Sequence, residues 1–208
     1  MPPSYTVCAD VIDIGTDAPR ADDIFLVDTN VWYWLGYTRS SLIRKPPQQY
    51  QTSTYPAYVQ AASTAGSLLT WCGLSLAELA HIIEKTEHEI WNSRNAPIKP
   101  KEFRHNRPQE RINQVVPEVE TAWAIVQNIA APIDTLVDDS TTTAALCRFK
   151  SQAVDGYDLF LLEAMTKAGI KKVLTDDGDF ATVPGIQVFT CNANVISAAT
   201  AQGRLIQR

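Results

Sequence analysis

Long apolar runs are missing. No stretch of the 208 residues approaches the length of a membrane span, so no membrane partner is expected. Cysteine is sparse and scattered: Cys8, Cys72, Cys147 and Cys191 show no Cys-x-x-Cys spacing, which fits reduced, partly buried thiols better than a disulfide framework. The histidines His81, His88 and His105 do not have the spacing of a metal site. The first residues offer neither a basic nor an apolar signal region, and Asp10, Asp13 and Asp17 argue against a secretory leader, so a cytoplasmic location is expected. No P-loop, Gly-x-Gly-x-x-Gly or Gly-x-Ser-x-Gly stretch supports an NTPase, a dinucleotide enzyme or a serine hydrolase. Internal repeats and low-complexity tracts are also lacking.

What is present is a hydrophobic content of 45%, enough to bury the core of one domain over residues 1–208. The net charge of −5 argues against tight non-specific binding of nucleic acid. The charge is unevenly placed, however. Arg94, Lys99, Lys101, Arg104, Arg107 and Arg111 face only Glu102 and Glu110, so this segment carries +4 and the remainder −9.

The chain is organised around Ile24–Leu35, IFLVDTNVWYWL. Four apolar residues closed by Asp28 read as a strand buried on both faces. Thr29 and Asn30 are good helix N-caps, and Val31, Trp32 and Leu35 give the following helix its apolar face. Asp28 then stands at the carboxyl end of a central strand, where open α/β sheets bind ligands.

Before this stretch, residues 1–23 form an arm with one short strand, Val11–Ile14, expected at a sheet edge. After it comes a long loop, 36–55, and a helix from Pro56 to about Ala65, stopped by Gly66. Ser67–Leu74 is a second strand. Ser75-Leu-Ala-Glu78 opens a helix with Leu76, Leu79, Ala80, Ile83 and Ile90 on one face. The basic insertion, 92–111, is broken by Pro97, Pro100 and Pro108. A helix from about Pro117 to Ala130 follows, with Val119, Trp123, Val126 and Ile129 as its buried stripe, then a strand at Ile133–Val137 and a helix at Thr141–Lys150. Asp155–Ala168 is a helix stopped by Gly169. Strands at Lys172–Thr175 and Ile186–Thr190 and a helix from Asn194 complete the chain. Strands alternating with helices predict an α/β fold, a mostly parallel sheet in three α/β/α layers.

Asp28, Glu78, Asp158 and Asp177 all fall at strand ends or at the helix starts beside them. Each has a plain structural alternative. Glu78 completes a capping box with Ser75, Asp158 suits a helix dipole, and Asp176-Asp177-Gly178-Asp179 reads as a solvated turn. Asp28 is harder to dismiss, because a buried strand gains nothing from an uncompensated carboxylate. Like charges gathered at one end of a sheet need compensation, and a hard divalent cation, Mg²⁺ or Mn²⁺, supplies it through oxygen ligands.

LVDTN, a Glu early in an amphipathic second helix, YDLFLLEA and LTDDGDF, in that order over residues 24–190, resemble the PIN domain family. The resemblance implies a sheet of order 3-2-1-4-5 and a Mg²⁺- or Mn²⁺-dependent endoribonuclease that hydrolyses RNA phosphodiesters. Its catalytic acids would be Asp28, Glu78, Asp158 and Asp177. Asp28, Asp158, Asp177 and the additional acid Asp179 would be metal ligands, with Asn30 and Thr175 orienting the site. It also implies a homodimer and, for a toxin of a toxin–antitoxin pair, an inhibitory antitoxin. The N-terminal arm, the 36–55 loop, the basic insertion and Asp176 depart from the compact bacterial toxin version.

The alternative within the same fold is a catalytically inactive module that binds RNA or protein. Haloacid dehalogenase phosphatases also start from a strand-end Asp, but they need a second Asp where this chain has Asn30. The cations Lys101, Arg104 and Arg107 either hold the RNA backbone or belong to an ordinary solvated connection. His81 and His88 are expected on a solvated helix face, His81 one turn from Glu78; Trp32 is expected in the core, and Tyr33 and Trp34 are candidates for base stacking.

Overall fold

The strands β1 (Asp10–Asp13), β2 (Ile24–Val27), β3 (Leu68–Cys72), β4 (Ala131–Ile133), β5 (Lys172–Leu174) and β6 (Gln187–Thr190) form one sheet in a computed structural model that describes residues 5–134 and 136–208. All its pairings are parallel, in the order β1-β6-β5-β2-β3-β4. The five-strand order that the resemblance implies is contained in it as β4-β3-β2-β5-β6, and the observed sheet differs by a sixth strand, β1, at the edge beside β6.

The apolar run of β2 is explained by cover on both faces. Phe25 and Val27 belong to one core with Leu69, Leu174 and Phe189, while Leu26 points to the other with Val173 and Val188. The first core is roofed by α1 (Thr29–Gly36), α2 (Gln49–Ala65), α3 (Gly73–Asn92) and, past the short helices α4 (Pro100–Asn106) and α5 (Pro108–Glu110), by α6 (Val116–Ile129). On the other face, α8 (Asp158–Ala168) and α9 (Ala193–Ala201) bury Leu161, Leu162, Val195 and Ala199, and α7 (Asp139–Ser151) packs against α8. The result is a three-layer α/β/α fold. Gly36 lets α1 approach α6, since a Cβ there would stand 3.0 Å from Ala122. Gly169 ends α8 in the left-handed conformation at φ 69°, where it was expected.

Several boundaries differ from expectation. Pro56 lies inside α2, which starts at Gln49, so the connecting loop is shorter than 36–55. Tyr55, Tyr58, Val59 and Ala62 are buried along that helix, and this packing outweighs the one ladder bond a proline removes. The strand expected at Ile133–Val137 sits two residues earlier, leaving Leu136 and Val137 exposed (Thr135 lies outside the described residues). The face of α3 also turns further than expected: Leu76 is exposed while Thr86, Glu87 and His88 are buried. Of the stripe on α6, Val126 is buried and Val119, Trp123 and Ile129 pack partly buried against the core. Among the described residues, no helix is long and apolar enough to cross a membrane.

An ionic network lies at the amino ends of β2 and β5. Arg208 donates to Asp17 at 2.8 Å and to Asp23 at 2.6 and 2.8 Å, lies 4.5 Å from the Phe189 ring centroid, and Lys172 adds a bond to Asp23 at 2.5 Å. Burial acts to raise the Asp23 carboxyl, but the two cations more than offset it and hold it well below the usual range. Arg208→Ala leaves both acids short of a partner and should cost about 3–5 kcal/mol, the usual penalty for breaking a buried pair. Urea unfolding at neutral pH measures this; a loss below about 1 kcal/mol would mean that water compensates the acids.

Candidate functional site

The register between β2 and β5 sets the centre of the site. Val27 pairs with Leu174, and the Asp28 amide donates to the Leu174 carbonyl at 3.0 Å, so Asp28 and Thr175 leave the sheet side by side. After β2 the chain proceeds to β3 and β4 on one side, then returns to build β5 and β6 on the other. This is the switch point of the sheet, where strand ends diverge and leave a crevice.

Asp28 itself caps α1, a role expected of Thr29 or Asn30. Its Oδ1 accepts from the Thr29 amide at 2.6 Å, and its Oδ2 from Asn30 Nδ2 at 2.6 Å and Thr175 Oγ1 at 2.5 Å. Thr175 Oγ1 also accepts from the Asp177 amide at 2.9 Å, so one hydroxyl ties two acids together. Asp177 in turn caps the short 3-10 turn Gly178–Thr182 through the Asp179 amide, at 2.9 Å. Both carboxylates therefore have local structural work and also share one place.

Glu78 has lost its structural explanation. α3 begins at Gly73 behind the cap residue Cys72, so Ser75 and Glu78 lie further into the helix and form no capping box. Ser75 Oγ and Glu78 Oε2 are buried without a hydrogen-bond partner, and so are Thr29 Oγ1 and Asn30 Oδ1. The Thr29 hydroxyl is close enough to Glu78 to oppose the rise of its pKa, yet no well-formed hydrogen bond joins them. Asp158 is the first residue of α8, which starts there and not at Asp155; its amide donates to the Asp155 carbonyl at 3.1 Å.

The electrostatics bring these acids together. Burial raises the Asp28 carboxyl, and Glu78 and Asp177 push it further, against the bonds from Thr175 and Thr29. Burial also raises Asp158, helped by Asp28, Asp177, Glu78 and Asp155. Glu78 is raised by burial and Asp177, with His81 acting the other way; Asp179 is raised by burial, Asp177 and Asp155. Among the described residues, no lysine or arginine forms an ion pair with any of these six acids.

The donor set is all oxygen, with orphaned buried atoms on Thr29, Asn30, Ser75 and Glu78, which suits a hard cation. It is not a closed cage, because among the described residues no three acid, His or Cys side chains are grouped as ready ligands. A Mg²⁺ ion that keeps several waters needs only one or two direct carboxylates, so the open arrangement fits that ion and does not fit a tightly held, dehydrated one.

Other expected residues lie elsewhere. Arg104 on α4 is engaged by Glu84 at 2.8 and 3.0 Å, Arg107 stacks 5.5 Å from the Trp91 centroid, and Lys101 is exposed beside them. Trp32 and Tyr33 are buried, and Trp34 packs at 5.2 Å from Tyr55, half-buried. His81 is exposed, but His88 is buried and bonded to the Ile98 carbonyl at 2.8 Å, a correction to the solvated face.

Two features had no sequence signal. Asp176 is gripped by Tyr50 at 3.2 Å, Gln51 at 2.7 Å and Tyr55 at 2.8 Å, which fastens the start of α2 to the acidic turn. The ring of Tyr5, from the N-terminal arm, lies so close over Gly178 that a Cβ there would stand 2.2 Å from it.

The raised acids have a consequence for stability. The folded chain holds protons on Asp28 and Asp158 that the unfolded chain releases near pH 4, so stability falls as pH rises from there into the neutral range. The lowered groups, Asp23, Glu84 and Asp138, act below this window. In chelator, the urea midpoint should therefore drop between pH 5 and pH 8, and Asp28→Asn should flatten the drop while keeping the cap. Equal slopes in the two proteins would mean that Asp28 ionises freely.

No protein-family model matches the chain, and no curated protein matches it.

Proposed function

We propose that the protein is a Mg²⁺- or Mn²⁺-dependent endoribonuclease of PIN-domain type that hydrolyses RNA phosphodiesters in the cytoplasm. The observation that carries the proposal is a switch-point cluster of Asp28, Glu78, Asp158 and Asp177 with no cationic partner among the described residues and with buried oxygens left unpaired around it. Such a cluster is unfavourable unless something positive is held there. The resemblance of LVDTN, YDLFLLEA and LTDDGDF to the PIN family supplies the reaction class.

Asp28, Asp158 and Asp177 would hold the ion, one or two of them directly and the rest through its waters, with Asp179 as the additional acid. A bound divalent ion supplies positive charge at the attacked phosphate and lowers the pKa of water at the site. The chain's residues do the positioning. Asn30 and Thr175 fix the Asp28 carboxylate in one orientation through bonds of 2.6 and 2.5 Å. Glu78, with its unpaired Oε2, is placed to orient a water or take its proton, and burial keeps its pKa above that of a free carboxylate. RNA is the only partner proposed; a second copy and an antitoxin rest on the resemblance alone.

Purified protein should cut single-stranded RNA with Mn²⁺ or Mg²⁺ and lose this activity in excess chelator. Asp28→Asn should reduce the rate at least about 100-fold, the scale on which electrostatic groups at a reacting centre act. Mn²⁺ at about a hundred times its Kd should stabilise the wild type by roughly 2.7 kcal/mol and the variant by much less. Cleavage that persists in chelator would overturn the mechanism. Equal stabilisation of both proteins would favour the non-cutting module.

A further inference from the structure

A groove of about 440 Å³ opens beside the acid cluster, between the start of α2, the loop before it and α3. One residue on each wall adjoins the cluster. On the α2 wall, Gln51 bonds Asp176 at 2.7 Å, next to Asp177. On the α3 wall stands His81, one turn beyond Glu78 and close enough to lower its pKa.

Further along, the groove carries Lys45, Lys85 and the half-buried Trp34, with Glu89 at its far side. Lys45 and Lys85 are exposed, and neither has an ion-pair partner among the described residues. Three cations of the basic insertion are differently placed. Arg104 and Arg111 both pair with Glu84, and Arg107 is stacked on Trp91.

Helix phase separates the two sets. At about 100° per residue, Lys85 projects within roughly 20° of Glu78 around α3, while Glu84, and so Arg104, lies roughly 120° away. Lys85 stands about 10 Å further along the helix on the face that carries the acid. A polyanion is repelled by the cluster itself and must be held by cations adjoining it.

Resting on the nuclease proposal above, we propose that this groove is the track for the single-stranded RNA flanking the cut, with Lys45, Lys85 and His81 on its phosphates and Trp34 under a base. The basic insertion is not the RNA-binding surface. An aromatic beside free ammonium groups is the arrangement that binds single strands without reading their sequence.

The test uses full-length Asp28→Asn protein in chelator, so that binding is read without cleavage. The probe is a fluorescein-labelled single-stranded RNA of about 20 nucleotides, longer than the roughly 4–16 such a surface covers. Anisotropy titrations over a range of salt give the affinity and its salt slope. Adding Lys45→Gln and Lys85→Gln should weaken binding at least about fivefold and reduce the slope by about 1.4, which is about 0.7 for each phosphate that the lysines no longer neutralise. Arg104→Gln with Arg107→Gln should leave both unchanged. The reverse pattern would overturn the proposal and return the role to the insertion. No RNA binding by the Asp28→Asn parent, with the Mn²⁺ shift intact in wild type, would overturn the track and leave the metal site standing. Lysine-dependent binding without any Mn²⁺ shift would sustain the track and overturn the nuclease.

Discussion

The structure depends on carboxylates held together at the carboxyl ends of β2, β3 and β5 without a protein cation to balance them. A domain of this size is stable by only about 5–15 kcal/mol, so one buried uncompensated charge is a large fraction of the total. The topology sets where these side chains stand. Adjacent parallel strands with Val27 opposite Leu174 must release Asp28 and Thr175 at the same edge. What the chain can do is supply neutral donors, and Asn30, Thr175 and the Thr29 amide do so.

The other end of β2 offers an internal comparison. Asp23 is as buried as Asp28, one residue before the strand where the other is one residue after. At Asp23 the cations Arg208 and Lys172 outweigh burial and hold the carboxyl below the usual range; at Asp28 burial, helped by Glu78 and Asp177, drives it above. The same side chain on the same strand thus has opposite shifts, and the difference lies in what faces it. The chain has cations available to neutralise a buried acid and uses them at the end where a structural pair is all that is needed. At the other end no lysine or arginine among the described residues pairs with the acid, and the proposed function rests on that difference.

Much of the fold was legible in the residues. The closed apolar run of β2, the Gly169 stop and the alternation of strands with helices all express backbone and burial preferences that act locally. The departures come where tertiary packing outweighs them. Pro56 predicts a helix start, but the buried tyrosines on either side of it carry α2 through. Ser75 and Glu78 have the spacing of a capping box, yet α3 begins two residues before Ser75 because the chain turns directly out of β3. That early start removed the plain explanation for Glu78 and turned Leu76 outward. Asp28 and Asp177 were legible because strand ends can be found from hydrophobicity, and Glu78 and Asp158 because they stand near helix starts. The grip of Tyr50, Gln51 and Tyr55 on Asp176 was not, since it joins residues more than a hundred positions apart with no shared motif.

The same reasoning bears on the basic insertion, whose charge drew attention in the sequence. Net charge over a segment counts cations without asking what they face. Folded, Arg104 lies on Glu84 and shares it with Arg111, and Arg39 is held by Glu87. These pairs pin α4 and its neighbours to α3 and leave less field to attract an anion. Lys45 and Lys85 lie outside that segment and contribute nothing to its count, yet each brings an unshared charge to the groove. On the proposed function, a rigid helix carrying Glu78, His81 and Lys85 along one face fixes the distance between the acid that acts on a phosphate and the cation that holds the next part of the strand. That spacing is set by helical rise and does not depend on a mobile loop, so the acidic pocket and its anionic substrate are reconciled by geometry built into α3.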